Sequence, residues 1–192
     1  GFYDFFETVY NRKVYRGLGK KVAEEIMQND IVLECACGTG AITRYIAPKC
    51  KRMIATDLSK GMLKQTSKKC RKYQNIKIKC ADMTRLNCHD NKFDKVIAGN
   101  VIHLLEDPYR AVKELERVCK PGGKIIIPTY INMSDGGNKR AVRLLEAAGV
   151  DLKRQINIDS YRKFFGDAGY KNVEYSIIDG RIPCAVAVIT KQ

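Results

Sequence analysis

The sequence predicts an α/β fold: a doubly wound sheet of about seven strands with an antiparallel edge strand, and helices on both faces. Three observations carry that reading. Short apolar runs alternate with stretches of helical period along the 192 residues, the pattern of a largely parallel sheet with crossover helices. Ile31 to Gly40, IVLECACGTG, passes from a buried-strand run directly into a glycine turn. The last two apolar runs, Val173 to Ile178 and Ala185 to Thr190, are joined by a turn at Asp179-Gly180 and make a hairpin.

At the N-terminus, Phe2, Phe5, Phe6, Val9, Tyr10, Val14, Leu18, Val22 and Ile26 recur at steps of three and four. That spacing is an amphipathic helix, with a break expected near Gly17 and Gly19. Ile31 to Cys35 is the first strand. Gly38 and Gly40 then remove the Cβ atoms that would hold a ligand away from the backbone, and a helix from about Ala41 is stopped by Pro48. Glu34 stands at the carboxyl end of the strand, where open α/β sheets bind ligands.

Arg52 to Thr56 is the second strand, followed by Asp57 about 20 residues beyond the turn, where dinucleotide folds place a ribose-binding acid. The alternative for Asp57 is a cap on the helix from Lys60, a role Ser59 fills better. Ile76 to Cys80 and Phe93 to Ala98 are the third and fourth strands. Asp107-Pro108 caps a helix whose stripe is Ala111, Val112, Leu115 and Val118. Lys120-Pro121-Gly122-Gly123 is expected to end that helix before a fifth strand, Lys124 to Pro128. Asp159-Ser160 is expected to cap the last helix.

The glycine turn excludes a P-loop, since G-x-x-x-x-G-K-[ST] is missing. A dinucleotide turn fits only loosely through Ala36, Gly38 and Ala41, and a plain glycine turn closing a βα unit is the bland alternative.

Glu34-Cys35-Ala36-Cys37-Gly38-Thr39-Gly40 resembles the first motif of class I S-adenosylmethionine (SAM) dependent methyltransferases, with Ala36 at the first glycine. Thr56-Asp57-Leu58-Ser59, Ala81-Asp82-Met83 and the stretch from Ile102-His103-Leu104 to Lys120-Pro121-Gly122-Gly123-Lys124 resemble the later motifs in order. The likeness covers about Asp30 to Thr129 and is greatest to the ubiquinone and menaquinone biosynthesis type. It implies a Rossmann-like fold with SAM as cofactor, bound by Glu34, Ala36, Gly38, Gly40, Asp57, Leu58, Asp82, Met83 and Asn100. Asp82 would take the adenine amino group, and its alternative is a turn acid. The resemblance also divides a single domain, 1–192, into an N-terminal helical lid (1–29), a SAM-binding core (30–129), a variable substrate segment (130–159) and a final helix with the strand hairpin (160–192).

The expected reaction is methyl transfer to a small-molecule acceptor, with Tyr3, Tyr10 and Tyr130 facing it and His103 as the candidate general base. A structural histidine at a loop-to-helix junction is the alternative. An RNA methyltransferase and a noncatalytic SAM-binding module are kept as rival functions.

Composition bounds these readings. The formal net charge is +14, and residues 1–80 hold 17 of the 35 Lys+Arg against 7 of the 21 Asp+Glu. Lys60, Lys64 and Lys68 repeat at i, i+4 on one helix with Lys69, Arg71 and Lys72 beside them. A polyanion is an available partner, though only Tyr73 is interleaved for stacking, so a solvated face is expected and nucleic acid is not favoured. Eight cysteines without a C-x-x-C pair argue against a structural metal and for reduced thiols. Cys35, Cys37, Cys80 and Cys119 are expected to pack as small apolar residues. No apolar run reaches the ~18 residues of a membrane span and no signal peptide is recognised, so the expected localisation is cytoplasmic.

Overall fold

The strands alternate their side chains between two apolar layers, and that alternation is what wraps helices around both faces of the sheet. A computed structural model describes residues 12–131, 156–180 and 182–192. The strands are β1 (Ile31–Cys35), β2 (Arg52–Asp57), β3 (Ile76–Cys80), β4 (Phe93–Ala98), β5 (Cys119–Tyr130), β6 (Val173–Ile178) and β7 (Cys184–Thr190). Their order is β3-β2-β1-β4-β5-β7-β6. β1 to β5 pair in parallel, while β7 runs antiparallel to both β5 and β6 and leaves β6 as the outer strand of the hairpin.

Val32, Met53, Ile97, Ile126 and Val188 point into one layer, closed by α1 (Arg12–Glu24) and α2 (Thr43–Ile46). Leu33, Val96, Ala98, Ile125 and Ala187 point into the other, closed by α4 (Pro108–Val118) and α5 (Ile158–Asp167). α3 (Lys60–Cys70) lies over β2 and β3. The seven-stranded doubly wound sheet with its antiparallel edge is the architecture read from the sequence.

Several local expectations are corrected. α1 continues through Gly17 and Gly19 instead of breaking. A Cβ on Gly17 would stand 2.9 Å from Ile178 and one on Gly19 2.2 Å from the Tyr45 ring, so both glycines serve close approach. Lys120-Pro121-Gly122-Gly123 does not lie outside the strand but forms the irregular entry to β5, where the register with β4 shifts. Gly122, at φ +73°, supplies the left-handed residue there, and its N–H donates to Lys191 O at 2.8 Å. α5 is capped by Asn157 rather than Asp159-Ser160: Asn157 Oδ1 accepts from Ser160 N while Ser160 Oγ accepts from Asn157 N, a reciprocal box. Cys80 is exposed, unlike Cys35, Cys37 and Cys119, because it ends an outer strand.

Candidate functional site

The sheet order reverses between β1 and β4, and ligands of open α/β sheets bind beside the carboxyl ends of such strands. A cavity of about 300 Å³ lies there. Its floor is the turn after β1. Ala36, Gly38 and Gly40 all have positive φ, at +50°, +55° and +80°, so the chain turns sharply and lays its backbone open to the cavity. Cys37 N donates to Thr56 O at 2.9 Å and Thr66 Oγ1 donates to Gly38 O at 2.7 Å, which fixes the turn against β2 and α3. Among the described residues, and apart from its own chain neighbours, no heavy atom lies within 4 Å of where a Gly38 Cβ would be.

Asp57, at the end of β2, accepts from Gly38 N through Oδ2 at 2.9 Å and from Ser59 N through Oδ1 at 2.8 Å. A carboxylate oxygen has two lone pairs, so each still has one to offer a ligand hydroxyl. Ser59 is the N-cap of α3, accepting from Met62 N, which leaves Asp57 to tie turn and helix together. Glu34 is buried at the cavity wall, and its Oε2 accepts from Thr43 Oγ1 at 2.6 Å. Asp82 Oδ1 accepts from both Thr84 N and Thr84 Oγ1 at 2.8 Å, and these bonds hold its carboxyl below the usual aspartate range.

The opposite wall follows β4. Asn100 has φ +54°, donates its N–H to Pro128 O at 2.8 Å and lines the cavity with Gly99 and Val101. A Cβ on Gly99 would come within 2.7 Å of Ile42 Cδ1, so the glycine lets that strand end close onto the turn.

Of the residues expected to hold the cofactor, Glu34, Ala36, Gly38, Asp57, Leu58, Asp82, Met83 and Asn100 all line this cavity. Gly40 does not: its missing Cβ leaves room for Thr66, 3.1 Å away, and its place is in packing the turn on α3. Tyr130 is buried outside the lining and reaches the cavity through Tyr15, with ring centroids 6.1 Å apart, edge to face. Tyr3, Tyr10 and residues 132–155 lie outside the described residues.

His103 is the largest departure. It sits on a 3-10 turn, Ile102–Leu104, is 6% exposed, does not line the cavity, and its Nδ1 is 3.2 Å from Thr129 Oγ1. Its Nε2 has no hydrogen-bond partner among the described residues, and burial pushes the imidazole down to about 4. The ring thus faces Thr129 and lies outside the cavity lining. The Cys37 thiol, though in the lining, is pushed up by burial, so the turn carries no thiolate nucleophile.

Tyr15, Ile42, Met62, Leu104 and Leu105 also line the cavity and are not legible as site residues in the sequence. Each sits in an apolar pattern that a core position would share. Leu104, like the expected Leu58, is a large apolar side chain left open at the cavity, the two being 44% and 68% exposed, which is unusual for a core.

The observations fit SAM. A turn of small, positive-φ residues, two carboxylates from separate strand ends and a largely apolar lining meet in one cavity. Among the described residues no group of three or more His, Cys, Asp or Glu could hold a metal, and no helix is long and apolar enough to cross a membrane.

Comparison with known proteins agrees. Residues 33–127 match the family model described as a methyltransferase domain. The demethylmenaquinone methyltransferase of Corynebacterium urealyticum is 34% identical over 106 residues, 55% of this chain and 44% of that protein. The malonyl-[acyl-carrier protein] O-methyltransferase of a Marinomonas species is 34% identical over 125 residues, 60% of this chain and 46% of that protein. The chain thus spans about half the length of these curated relatives. A solved structure described as a putative SAM-dependent methyltransferase, from Methanococcus maripaludis, superposes with a TM-score of 0.73 at 18% identity, covering 98% of this chain and 90% of that one. At that identity the superposition speaks for the fold alone.

Fold and cavity define a nucleoside-binding α/β protein of the doubly wound kind. With the sequence matches, residues 33–127 carry a methyltransferase domain, and the chain is similar to class I SAM-dependent methyltransferases of the ubiquinone and menaquinone biosynthesis type.

Proposed function

We propose that this chain binds SAM in the β1/β4 cavity and transfers its methyl group to a small-molecule acceptor. The observation that carries the reading is the convergence of Gly38, Asp57 and Asp82, from three different strand ends, on one cavity. SAM supplies a sulfonium methyl that is already activated for in-line displacement, so the protein's task is placement. Asp57 would fix the ribose, Asp82 the adenine edge, and the Ala36–Gly38 backbone with Asn100 the amino-acid end. Leu58 and Leu104 would cover apolar ligand surface and keep water out.

The acceptor would meet the methyl beside Tyr15 and Asn100; residues 1–11 of the expected lid and 132–155 of the expected substrate segment lie outside the described residues, and α1 (Arg12–Glu24) packs in the core. The names of the relatives, one a demethylmenaquinone and one a malonyl-carrier methyltransferase, favour small acyl or quinol acceptors over nucleic acid. His103 is assigned to structure, holding Thr129. Eight free thiols fit the reducing cytoplasm as the place of action.

Calorimetry with SAM, S-adenosylhomocysteine and NAD tests the reading. SAM and S-adenosylhomocysteine are expected to bind and NAD not to. Asp57→Ala is expected to weaken SAM binding by about 1 to 3 kcal/mol, since it removes a buried acceptor and leaves Gly38 N–H without its partner. Equal SAM affinity in Asp57→Ala would remove the ribose assignment, and tight NAD binding would overturn the donor site altogether.

A further inference from the structure

The most uneven feature of the surface lies away from the cavity floor. Between positions 49 and 79 stand eleven Lys+Arg and one acid, Asp57. That acid is already committed to Gly38 and Ser59. Ten of the eleven cations, all but Lys69, are exposed, and among the described residues none of the ten forms an ion pair with a carboxylate. α3 packs against β2 and β3, so the cations of α3 and its C-terminal end lie together on one face, while Lys77 and Lys79, alternating with Ile76 and Ile78 that pack toward α3, flank it from the other face of the outer strand.

The ordinary explanation accounts for part of this. Lysines on an outer strand deter edge-to-edge pairing, and Lys77 and Lys79 alternate with the half-buried Ile76 and Ile78 as that device requires. It does not account for Lys60, Lys64 and Lys68 repeating along α3, nor for Lys49, Lys51, Arg52, Arg71 and Lys72 around the far ends of β2 and α3. Like charges at i, i+4 repel and destabilise a helix slightly, so their accumulation without acids calls for a negatively charged partner.

We propose that this lysine-rich side docks the protein onto an anionic phospholipid bilayer. Three observations select a bilayer over nucleic acid. Nine of the eleven cations are lysine, a compact charge suited to a diffuse anionic surface and lacking the planar fork that grips single phosphates. Among the described residues of β2, α3 and β3 no exposed ring offers a base a stacking platform: Tyr73 is half-buried, its hydroxyl donates to Arg44 O, and Lys72 lies over its ring. And Met27, a large apolar side chain near the start of β2, is 68% exposed. Asp30 O accepts from both Lys51 N and Arg52 N while Asp30 Oδ2 accepts from Met27 N, which brings the Met27 backbone to the same end of the sheet as Lys51 and Arg52. A cationic field with an apolar knob suits the headgroup boundary of a bilayer. The inference is independent of the SAM reading, because none of these side chains except Asp57 touches the cavity.

Vesicle co-sedimentation tests it, using the whole chain with S-adenosylhomocysteine calorimetry as the check on folding. Binding is expected to vesicles of equimolar phosphatidylglycerol and phosphatidylcholine and not to phosphatidylcholine alone, falling about tenfold or more between 50 and 500 mM NaCl as charges are screened. Lys60→Glu/Lys64→Glu/Lys68→Glu should abolish vesicle binding, and the milder triple Gln variant should weaken it where the Glu variant fails to fold. Lys13→Glu/Arg16→Glu/Lys20→Glu lowers the net charge equally on α1 and should leave most of the binding intact. Met27→Glu should weaken binding to vesicles and not to RNA. The proposal is overturned if the α1 variant loses binding as fully as the α3 variant, if Met27→Glu changes nothing, or if a 20-nucleotide RNA binds while anionic vesicles do not.

Discussion

Ala36→Val is expected to cost SAM affinity roughly 100-fold, or about 3 kcal/mol, and to lower stability as well. Ala36 holds φ at +50° in the middle of the turn and lines the cavity. An L-residue in the left-handed region already carries roughly 1 to 2 kcal/mol of strain, and a β-branched side chain there is a true outlier. Two outcomes are open to the valine chain and both damage the site. If the backbone keeps its conformation, two methyl groups enter the space meant for the ligand. If it relaxes, the bonds that fix the turn are pulled apart: Cys37 N to Thr56 O and Gly38 N to Asp57 Oδ2, both 2.9 Å.

Ala36→Gly provides the opposite sign. It relieves the strain while raising the entropy of the unfolded chain by about 0.4 to 1 kcal/mol, so stability should hold or rise and SAM affinity should not fall. Calorimetry and thermal melts on the two variants decide the matter. Wild-type SAM affinity in Ala36→Val would mean that the turn does not bind the ligand through its backbone.

The same turn marks what could be read from the chain alone. Glycines with an acid at a strand end have few uses, so the turn, Asp57 and Asp82 announce themselves by chemistry and spacing. Tyr15 and Ile42 cannot, because a cavity wall and a core ask for the same apolar periodicity. Direction was the second thing hidden. His103 falls at the right place in the chain for a base, just past β4, yet the 3-10 turn carries its ring to Thr129 and away from the cavity. Glycine was ambiguous for a third reason. At Gly17 and Gly19 the residue spaces α1 from Ile178 and Tyr45, a tertiary demand that looks in sequence like a helix break. At Lys120 to Gly123 a turn-like composition serves a register shift inside β5.

The buried histidine leads to the last expected result, a loss of about 3 kcal/mol of stability as the pH falls from 6.5 toward 4, absent in His103→Gln. The imidazole is pushed from an ordinary 6.5 down to about 4 by burial, because the charged form would lie out of water with no described partner for Nε2. Between those values the unfolded chain binds the proton and the folded one does not. Acid therefore favours unfolding, with stability fully present above the unfolded value and lost as pH falls through the folded one. About 2.5 pH units at 1.36 kcal/mol each set the size. The carboxylates held low by hydrogen bonds, Asp82, Asp94 and Glu114, start from 3.8 to 4.5 and are shifted downward, so they add their losses at the acid end of this window and below it. The span from pH 6.5 to about 4.5 thus isolates the histidine. Urea melts at half-unit steps read the difference. Parallel curves for wild type and His103→Gln would mean that the ring is solvated in solution and free to reach a substrate. A flat variant curve against a falling wild-type one would fix His103 as a neutral structural residue at pH 7, and methyl transfer would then owe its rate to placement of donor and acceptor.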